Sequence, residues 1–233
     1  YDVATMEIQA KRALEYLPQS SAVTRGVAYW VLGYSYANRH IYPPALEALI
    51  KAVEISRATN DIFVNLLAST GLANVLEAEN KLKQAAEIYQ TLLKYEGDSP
   101  LQWFNEIHLG MARIQYGWNE LERAQFHAQR SLELSHLYGE GIDRFVSSEI
   151  FLARLQFTQG KVDAAREVVS RMNQVIVQNN FLLRLQESVP LQIAILLQQG
   201  NLAAAKQVVE NHPFPLCQAR VLLAEKKPES VIE

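Results

Sequence analysis

A turn-forming residue recurs about every 40 positions along this 233-residue chain, and this regularity constrains the fold more than any other feature. The turns are centred on five residues: His40, Asn80, Asn119, Gly160 and Gly200. Their successive separations are 40, 39, 41 and 40 residues. Glycine and asparagine tolerate the left-handed backbone conformation that ends many helices. This period predicts about five copies of one helix–turn–helix unit, each packing on its neighbours.

The most complete copy lies between Tyr29 and Val53. It contains Tyr29-x2-Leu32-Gly33-x2-Tyr36 and then Ala45-x3-Leu49. This order and spacing resemble the tetratricopeptide repeat. HEAT and armadillo repeats have periods of similar length, but the first copy fits the tetratricopeptide spacing without a gap. An alanine also follows each turn residue by five positions, which allows the two helices of a pair to approach closely.

We therefore predict an all-α fold, a right-handed superhelix (solenoid) of tetratricopeptide-like antiparallel helix pairs with a period of about 40 residues. A single helical-repeat domain is predicted over residues 1–233. Ser99 followed by Pro100 is a typical helix start, Gly139 to Gly141 separates two units, and Pro228 starts a further helix. The predicted units are a partial one at 1–20, full ones at about 22–58, 59–97, 99–138, 141–179 and 180–212, and a partial one at 214–233.

Composition and charge argue against several classes of function. The net charge is -3 and no run of basic residues is longer than two, so the chain lacks a basic surface for phosphate groups. No apolar run approaches the roughly 18 residues of a membrane span, and the start of the chain has no signal-peptide pattern. The single cysteine, Cys217, indicates a reducing compartment. We expect a cytoplasmic location and a buried, unreactive thiol.

The sequence contains no recognisable catalytic or metal-binding motif. A phosphate-binding G-x4-G-K-[ST] loop and a G-x-S-x-G nucleophile elbow are both absent. Glu133 and His136 have the spacing of a di-metal site, but the second Glu-x-x-His that such a site requires is missing. His127 lies nine residues before His136, on the opposite face of a helix, and His108 is predicted to be a packing residue. We expect no enzyme activity, no metal and no cofactor in this segment.

Several repeat segments resemble the helical-repeat region of MalT-type bacterial transcription regulators. The segments that carry the resemblance are FLARLQFTQGKVDAAREVV, LQIAILLQQGNLAAAKQVV and the closing ARVLLAEKKPESVIE. Regulators of that family carry an ATP-hydrolysing switch module before the repeats and a LuxR-type helix-turn-helix after them. The resemblance implies that both ends of this chain are cuts in a longer protein, to which ATP and DNA binding belong. It also implies that the repeats sense an inducer or an inhibitory protein.

A stack of helix pairs turns one face of each first helix toward a shared groove. Aromatic rings beside Asn, Arg and Glu could bind a small polar ligand such as a sugar, or a peptide or partner helix. We predict a small-molecule inducer or a regulatory protein as partner, with no nucleic-acid or membrane contact. A general adaptor for peptides or proteins and a self-association scaffold are the alternatives. The predicted groove residues are Trp30, Tyr34, Asn38, Asn74, Glu77, Glu106, Arg113, Tyr116, Arg154, Phe157 and Glu187.

Overall fold

The structure is a computed structural model that describes residues 2–97, 103–137 and 143–225. Every regular element within these ranges is helical, which confirms the all-α prediction. The predicted helix start at Ser99 and Pro100, the separator at Gly139 to Gly141 and the helix from Pro228 lie outside the described residues. The helices are α1 (Val3–Tyr16), α2 (Ala22–Asn38), α3 (Tyr42–Ala58), α4 (Ile62–Ala78), α5 (Leu82–Leu93), α6 (Phe104–Gly117), α7 (Leu121–Leu137), α8 (Arg144–Thr158), α9 (Val162–Gln178), a 3₁₀ turn (Leu182–Arg184), α10 (Leu185–Gln198), α11 (Leu202–Asn211) and α12 (Pro215–Ala224).

All five predicted turn residues adopt the left-handed backbone conformation. The φ angles are 57° at His40, 59° at Asn80, 62° at Asn119, 79° at Gly160 and 73° at Gly200. At each turn the following amide donates to a carbonyl five residues earlier, as Lys81 does to Leu76 at 2.8 Å. This is the Schellman pattern, which satisfies carbonyls left without partners at a helix end. Asn60 and Asn180 end α3 and α9 in the same way, with φ of 53° and 58°.

Local capping sets the starts of several helices. The side chain of Asp61 accepts a hydrogen bond from the Val64 amide at 2.9 Å, and Asn201 accepts one from the Ala204 amide at 3.2 Å. Such caps pair amides that have no partner within the helix. Helix α3 begins at Tyr42 and carries Pro43 and Pro44 in its first turn, where prolines are tolerated.

The helices of each pair meet at small residues. The alanine that follows each turn residue by five positions is completely buried in all five pairs. Gly33 serves the same purpose in the first pair, since a Cβ atom there would lie 2.5 Å from Cγ of Leu49 on α3. The Leu-Gly motif is therefore a point of close approach between α2 and α3. The five alanines are Ala45, Ala85, Ala124, Ala165 and Ala205.

The chain divides into two compact units, Tyr1–His127 and Ala128–Glu233. In the first unit, the first helices of successive pairs, α2, α4 and α6, contact one another in that order; in the second, α8 contacts α10. Each unit has its own fully buried large side chains, such as Leu66 and Ile107 in the first and Ile176 in the second. The single domain and its superhelical path stay predictions. None of the described helices is long and apolar enough to cross a membrane.

Candidate functional site

Polar side chains of adjacent first helices meet on one surface in each unit, which we call the first-helix face. It contains Asn74, Glu77, Glu106 and Arg113 in the first unit, and Asp143, Ser147, Arg184 and Glu187 in the second. Its contacts join residues about one repeat apart: Arg113 and Glu77 are separated by 36 positions, and Ser147 and Glu187 by 40. The repeat period therefore places equivalent positions of neighbouring pairs side by side.

Arg113 is the centre of the face in the first unit. Its Nε donates to Oε1 of Glu77 at 2.7 Å, and its Nη2 donates to Oε2 of the same carboxylate at 2.9 Å. The same Nη2 lies 3.5 Å from Oε1 of Glu106 and 3.4 Å from Oδ1 of Asn74. A two-point bond between guanidinium and carboxylate is strong and fixes orientation. Two carboxylates thus share one guanidinium, which leaves a local excess of negative charge.

Tyr89 supports the Arg113 network from its buried side. Its side chain is completely buried, and its hydroxyl donates to Oδ1 of Asn74. Burial raises the pKa of Tyr89 well above its ordinary value, so the hydroxyl stays protonated and remains a donor. The ring fits because Gly110 of α6 has no side chain: a Cβ atom there would lie 2.6 Å from both Cε2 and Oη of Tyr89.

The electrostatics of the face keep both of its arginines charged. Burial disfavours the charged form of Arg113, but Glu77 and Glu106 outweigh this effect and hold its pKa well above the ordinary value. Burial likewise opposes the charge on Arg184, and Glu187 and Asp143 together raise its pKa. Both guanidinium groups of the face therefore remain charged near neutral pH.

The aromatic residues predicted for the groove differ in exposure. Trp30 is half-buried and packs against two core clusters, one around Leu49 and one around Ala52. Tyr34 is 44% exposed, with its ring centroid 6.1 Å from that of Trp30. The amide of Asn38 donates to the Tyr34 carbonyl at 2.8 Å, within α2. Of these two rings, that of Tyr34 is thus the more available to a ligand.

The second unit carries a smaller set of charged contacts. Arg184 donates from Nε to Asp143 at 2.8 Å and from Nη1 to Glu187 at 2.7 Å. Ser147 donates to the same Glu187 oxygen at 3.1 Å. Of the three groove residues predicted in this unit, Glu187 belongs to this set, and Phe157 packs against the core. Arg154 is half-buried on α8, and Tyr116 is half-buried on α6 in the first unit.

A cluster of Glu96, His108 and His127 in the first unit was not predicted from the sequence. His108 is buried, with its Nε2 at 2.8 Å from a Glu96 carboxylate oxygen and its Nδ1 at 2.7 Å from Nδ1 of His127. A separation this short accommodates one proton between the two rings. Burial and the neighbouring His108 lower the pKa of His127 to about 4. The two histidines lie 19 positions apart on different helices, so no local spacing could reveal their contact.

The chemistry of the described residues suits binding. No group of three or more His, Cys, Asp or Glu side chains within them is arranged to hold a metal ion. Burial raises the pKa of the Cys217 thiol, which keeps it protonated and weakly nucleophilic. By contrast, the first-helix face offers carboxylates, guanidinium groups and an exposed tyrosine, which can hydrogen-bond and stack on a partner.

Solved structures of helical-repeat proteins share this fold. BtubC (BKLC) from P. vanneervenii is 19% identical, with a TM-score of 0.64 over 97% of this chain and 93% of that one. The apo form of RapI is 12% identical, with a TM-score of 0.64 over 99% and 89%. A Signal Transduction ATPase with Numerous Domains (STAND) from Pyrococcus horikoshii, PH0952, has a tetratricopeptide repeat sensor. It is 15% identical, with a TM-score of 0.64 over 93% of this chain and 35% of that one.

Comparison of the amino-acid sequence with protein-family models shows the family of this chain. No curated protein matches the chain at a significant level, and identities as low as those above show the fold alone. The model of the MalT-like TPR region, however, matches residues 2–230. That range includes nearly the whole chain and both compact units. The chain therefore belongs to the MalT-like TPR region family.

Proposed function

We propose that this segment is the effector-sensing and protein-interaction region of a MalT-like, ATP-dependent transcription regulator of the LuxR type. The observation that carries the proposal is the family match over residues 2–230. The likeness to PH0952, a signal transduction ATPase whose sensor is built of tetratricopeptide repeats, supports it. In the parent chain, the ATPase and DNA-binding modules would flank this region, and the location would be cytoplasmic.

In this proposal the effector, an inducer or an inhibitory protein, binds the first-helix face of the first unit. Tyr34 supplies an exposed ring, and Glu106 supplies a carboxylate that is only 25% exposed and lies at the edge of the Arg113 network. Because Glu77 and Glu106 share one guanidinium, carboxylate lone pairs remain for hydroxyl or amide donors of a ligand. Binding would bias the parent switch if its resting and active states present this face differently.

The test is a thermal melt of this chain against a panel of sugars and other small polar metabolites. An inducer present at 100 times its dissociation constant adds about 2.7 kcal/mol to the stability, which raises the melting temperature by several degrees. The double variant Tyr34→Ala/Glu106→Gln should lose this increase. The control is Tyr16→Ala on α1, an exposed tyrosine outside the face, which should keep it. An increase that persists in the double variant would place the ligand elsewhere.

A general adaptor for peptides or proteins is the second candidate, because the exposed ring of Tyr34 and the paired charges around Arg113 also suit a peptide. An adaptor would respond to peptides and to no metabolite. Sequencing the parent gene on both sides of this segment separates the two candidates. A phosphate-binding loop upstream and a helix-turn-helix downstream are expected for the regulator, and a parent chain with neither would contradict it.

A further inference from the structure

An open cleft of about 580 Å³ lies between α9 and α10 in the second unit. Residues Gln192 and Leu196 form its α10 side, and residues from Arg166 to Gln178 form its α9 side. Leu196 follows Glu187 by nine positions, and at 100° per residue the two side chains leave α10 on opposite sides. The cleft is therefore separate from the first-helix face to which Glu187 belongs.

Carboxamide groups dominate the polar lining of the cleft. Of the ten described residues that line it, four are Asn or Gln, four are aliphatic and one is serine. Arg166 is the one charged lining residue among them, and it is already paired with Asp163 at 3.3 Å. The cleft thus offers neutral groups that both donate and accept, beside an apolar floor. This chemistry suits an uncharged ligand that carries alternating donors and acceptors.

Two of the four carboxamides are held in place, and the other two are available. Asn173 donates to Oε1 of Gln192 at 3.0 Å and accepts from the Ser188 hydroxyl at 2.7 Å. This arrangement orients the Gln192 side chain with its NH₂ group left for another acceptor. Gln174 and Gln178, one turn apart on α9, are exposed and make no side-chain hydrogen bond with any described residue. The cleft therefore has one rigid wall and a row of unengaged amides beside it.

The lining of the cleft is elongated along α9. The α9 lining runs from Arg166 to Gln178, which at 1.5 Å per residue is about 18 Å along the helix. An extended polypeptide rises about 3.3 Å per residue, so this length matches five or six residues. Apolar side chains line both sides of the cleft, such as Val177 on α9 and Leu196 on α10, and alternate side chains of an extended strand could rest against them.

We propose that the α9–α10 cleft binds an extended, uncharged peptide segment of five or six residues through its backbone. Gln174 and Gln178 pair with the peptide N–H and C=O groups, since a carboxamide presents both a donor and an acceptor to each amide. The NH₂ group of Gln192 donates to a further peptide C=O. Main-chain pairing of this kind supplies affinity, and the aliphatic positions supply selectivity for small apolar side chains. The segment belongs to a partner protein, and its site is independent of the effector site on the first-helix face.

The experiment is a selection of random heptapeptides displayed on phage against this chain, followed by calorimetry of the enriched peptides. Wild-type protein should bind them, and the double variant Gln174→Ala/Gln178→Ala should bind at least tenfold more weakly. Both glutamines are exposed, so this variant should keep its melting temperature. Gln207→Ala on α11, also an exposed glutamine, is the matched control. Ester-for-amide replacement in the peptide backbone should weaken binding as well, which tests main-chain recognition directly.

Several results would overturn the proposal. The first is that no heptapeptide is enriched on wild-type protein relative to the double variant. The second is that binding is lost in Tyr34→Ala/Glu106→Gln but kept in the cleft variant, which would assign the peptides to the first-helix face. The third is that cellohexaose binds the cleft and the peptides do not, which would make it a site for a linear carbohydrate.

Discussion

At the scale of single residues, small side chains decide where large ones can be buried. Gly110 is the clearest case, because the Tyr89 ring occupies the space that a Cβ atom would fill. Tyr89 in turn holds Asn74 next to Arg113. The absence of one methyl group on α6 therefore allows a buried tyrosine to support the polar network on the first-helix face.

We predict that Gly110→Ala destabilises the protein by about 2 kcal/mol, since overpacking a tight core site forces the side chains around it to move. Urea unfolding followed by circular dichroism measures the change. The matched control is Gly117→Ala at the end of the same helix, where a Cβ atom would lie 3.8 Å from Leu82. That distance is an ordinary contact, so the control should be neutral or slightly stabilising. Equal stability of the two variants would show that Tyr89 can shift without cost.

At the scale of helices, the contacts that define the sites join elements that are distant in sequence. The pair of His108 on α6 and His127 on α7 is an example, with Glu96 on the far side of His108 and the Phe126 ring beside His127. The lowered pKa of His127 means that the folded chain resists a proton that the unfolded chain accepts. The stability of the interface between α6 and α7 should therefore depend on pH.

We expect the free energy of unfolding to fall as the pH drops from about 6.5 to about 4. Between these values, the ordinary and the lowered pKa of His127, the unfolded state binds more protons than the folded one, so acid favours unfolding. Urea titrations across this range should show a steeper decline for the wild type than for His127→Gln. His136→Gln, an exposed position on the same helix, should behave as the wild type. Equal slopes for all three proteins would contradict this account of His127.

At the scale of the whole molecule, the two compact units raise the question whether they unfold together in one cooperative transition. In a repeat protein each pair packs mainly on its neighbours, so stability is roughly a sum of local terms. All three tryptophans, Trp30, Trp103 and Trp118, belong to the first unit. Tryptophan fluorescence therefore reports on that unit, whereas far-UV circular dichroism reports on the helices of both.

We predict that Ile193→Ala, at a fully buried position of the second unit, shifts the dichroism transition in urea and leaves the fluorescence midpoint unchanged. Removal of a buried isoleucine side chain costs about 3 kcal/mol, but that loss should stay within the second unit. Ile107→Ala, equally buried in the first unit, should shift the fluorescence midpoint. If Ile193→Ala moved both probes together, the chain would unfold as one cooperative domain, as the sequence interpretation of a single domain would have it.

Sequence reasoning located part of the candidate site. Because the register of each unit follows from its turn, counting back from the turns identified Asn74, Glu77, Glu106 and Arg113, which do meet on one face. The same counting gave Trp30 and Phe157, whose rings pack substantially against the core. Counting missed Arg184. The 3₁₀ turn Leu182–Arg184 precedes α10, so the polar contacts of this repeat begin before the helix itself. The register of the repeat predicts the side of the helix from which a side chain projects. It does not predict how deeply a neighbouring helix covers that side chain.

The sequence by itself determined the helical repeat, its period and its turns. These depend on local backbone preferences, which residues such as Gly160 and Asn80 carry wherever they stand. Only the tertiary structure decided which polar groups are partners: Arg113 with Glu77, Tyr89 with Asn74, and His108 with His127. The packing of α9 against α10 also formed the cleft between them. These contacts depend on the spacing and lateral register of helices tens of residues apart, which result from packing of the assembled core rather than from any local pattern.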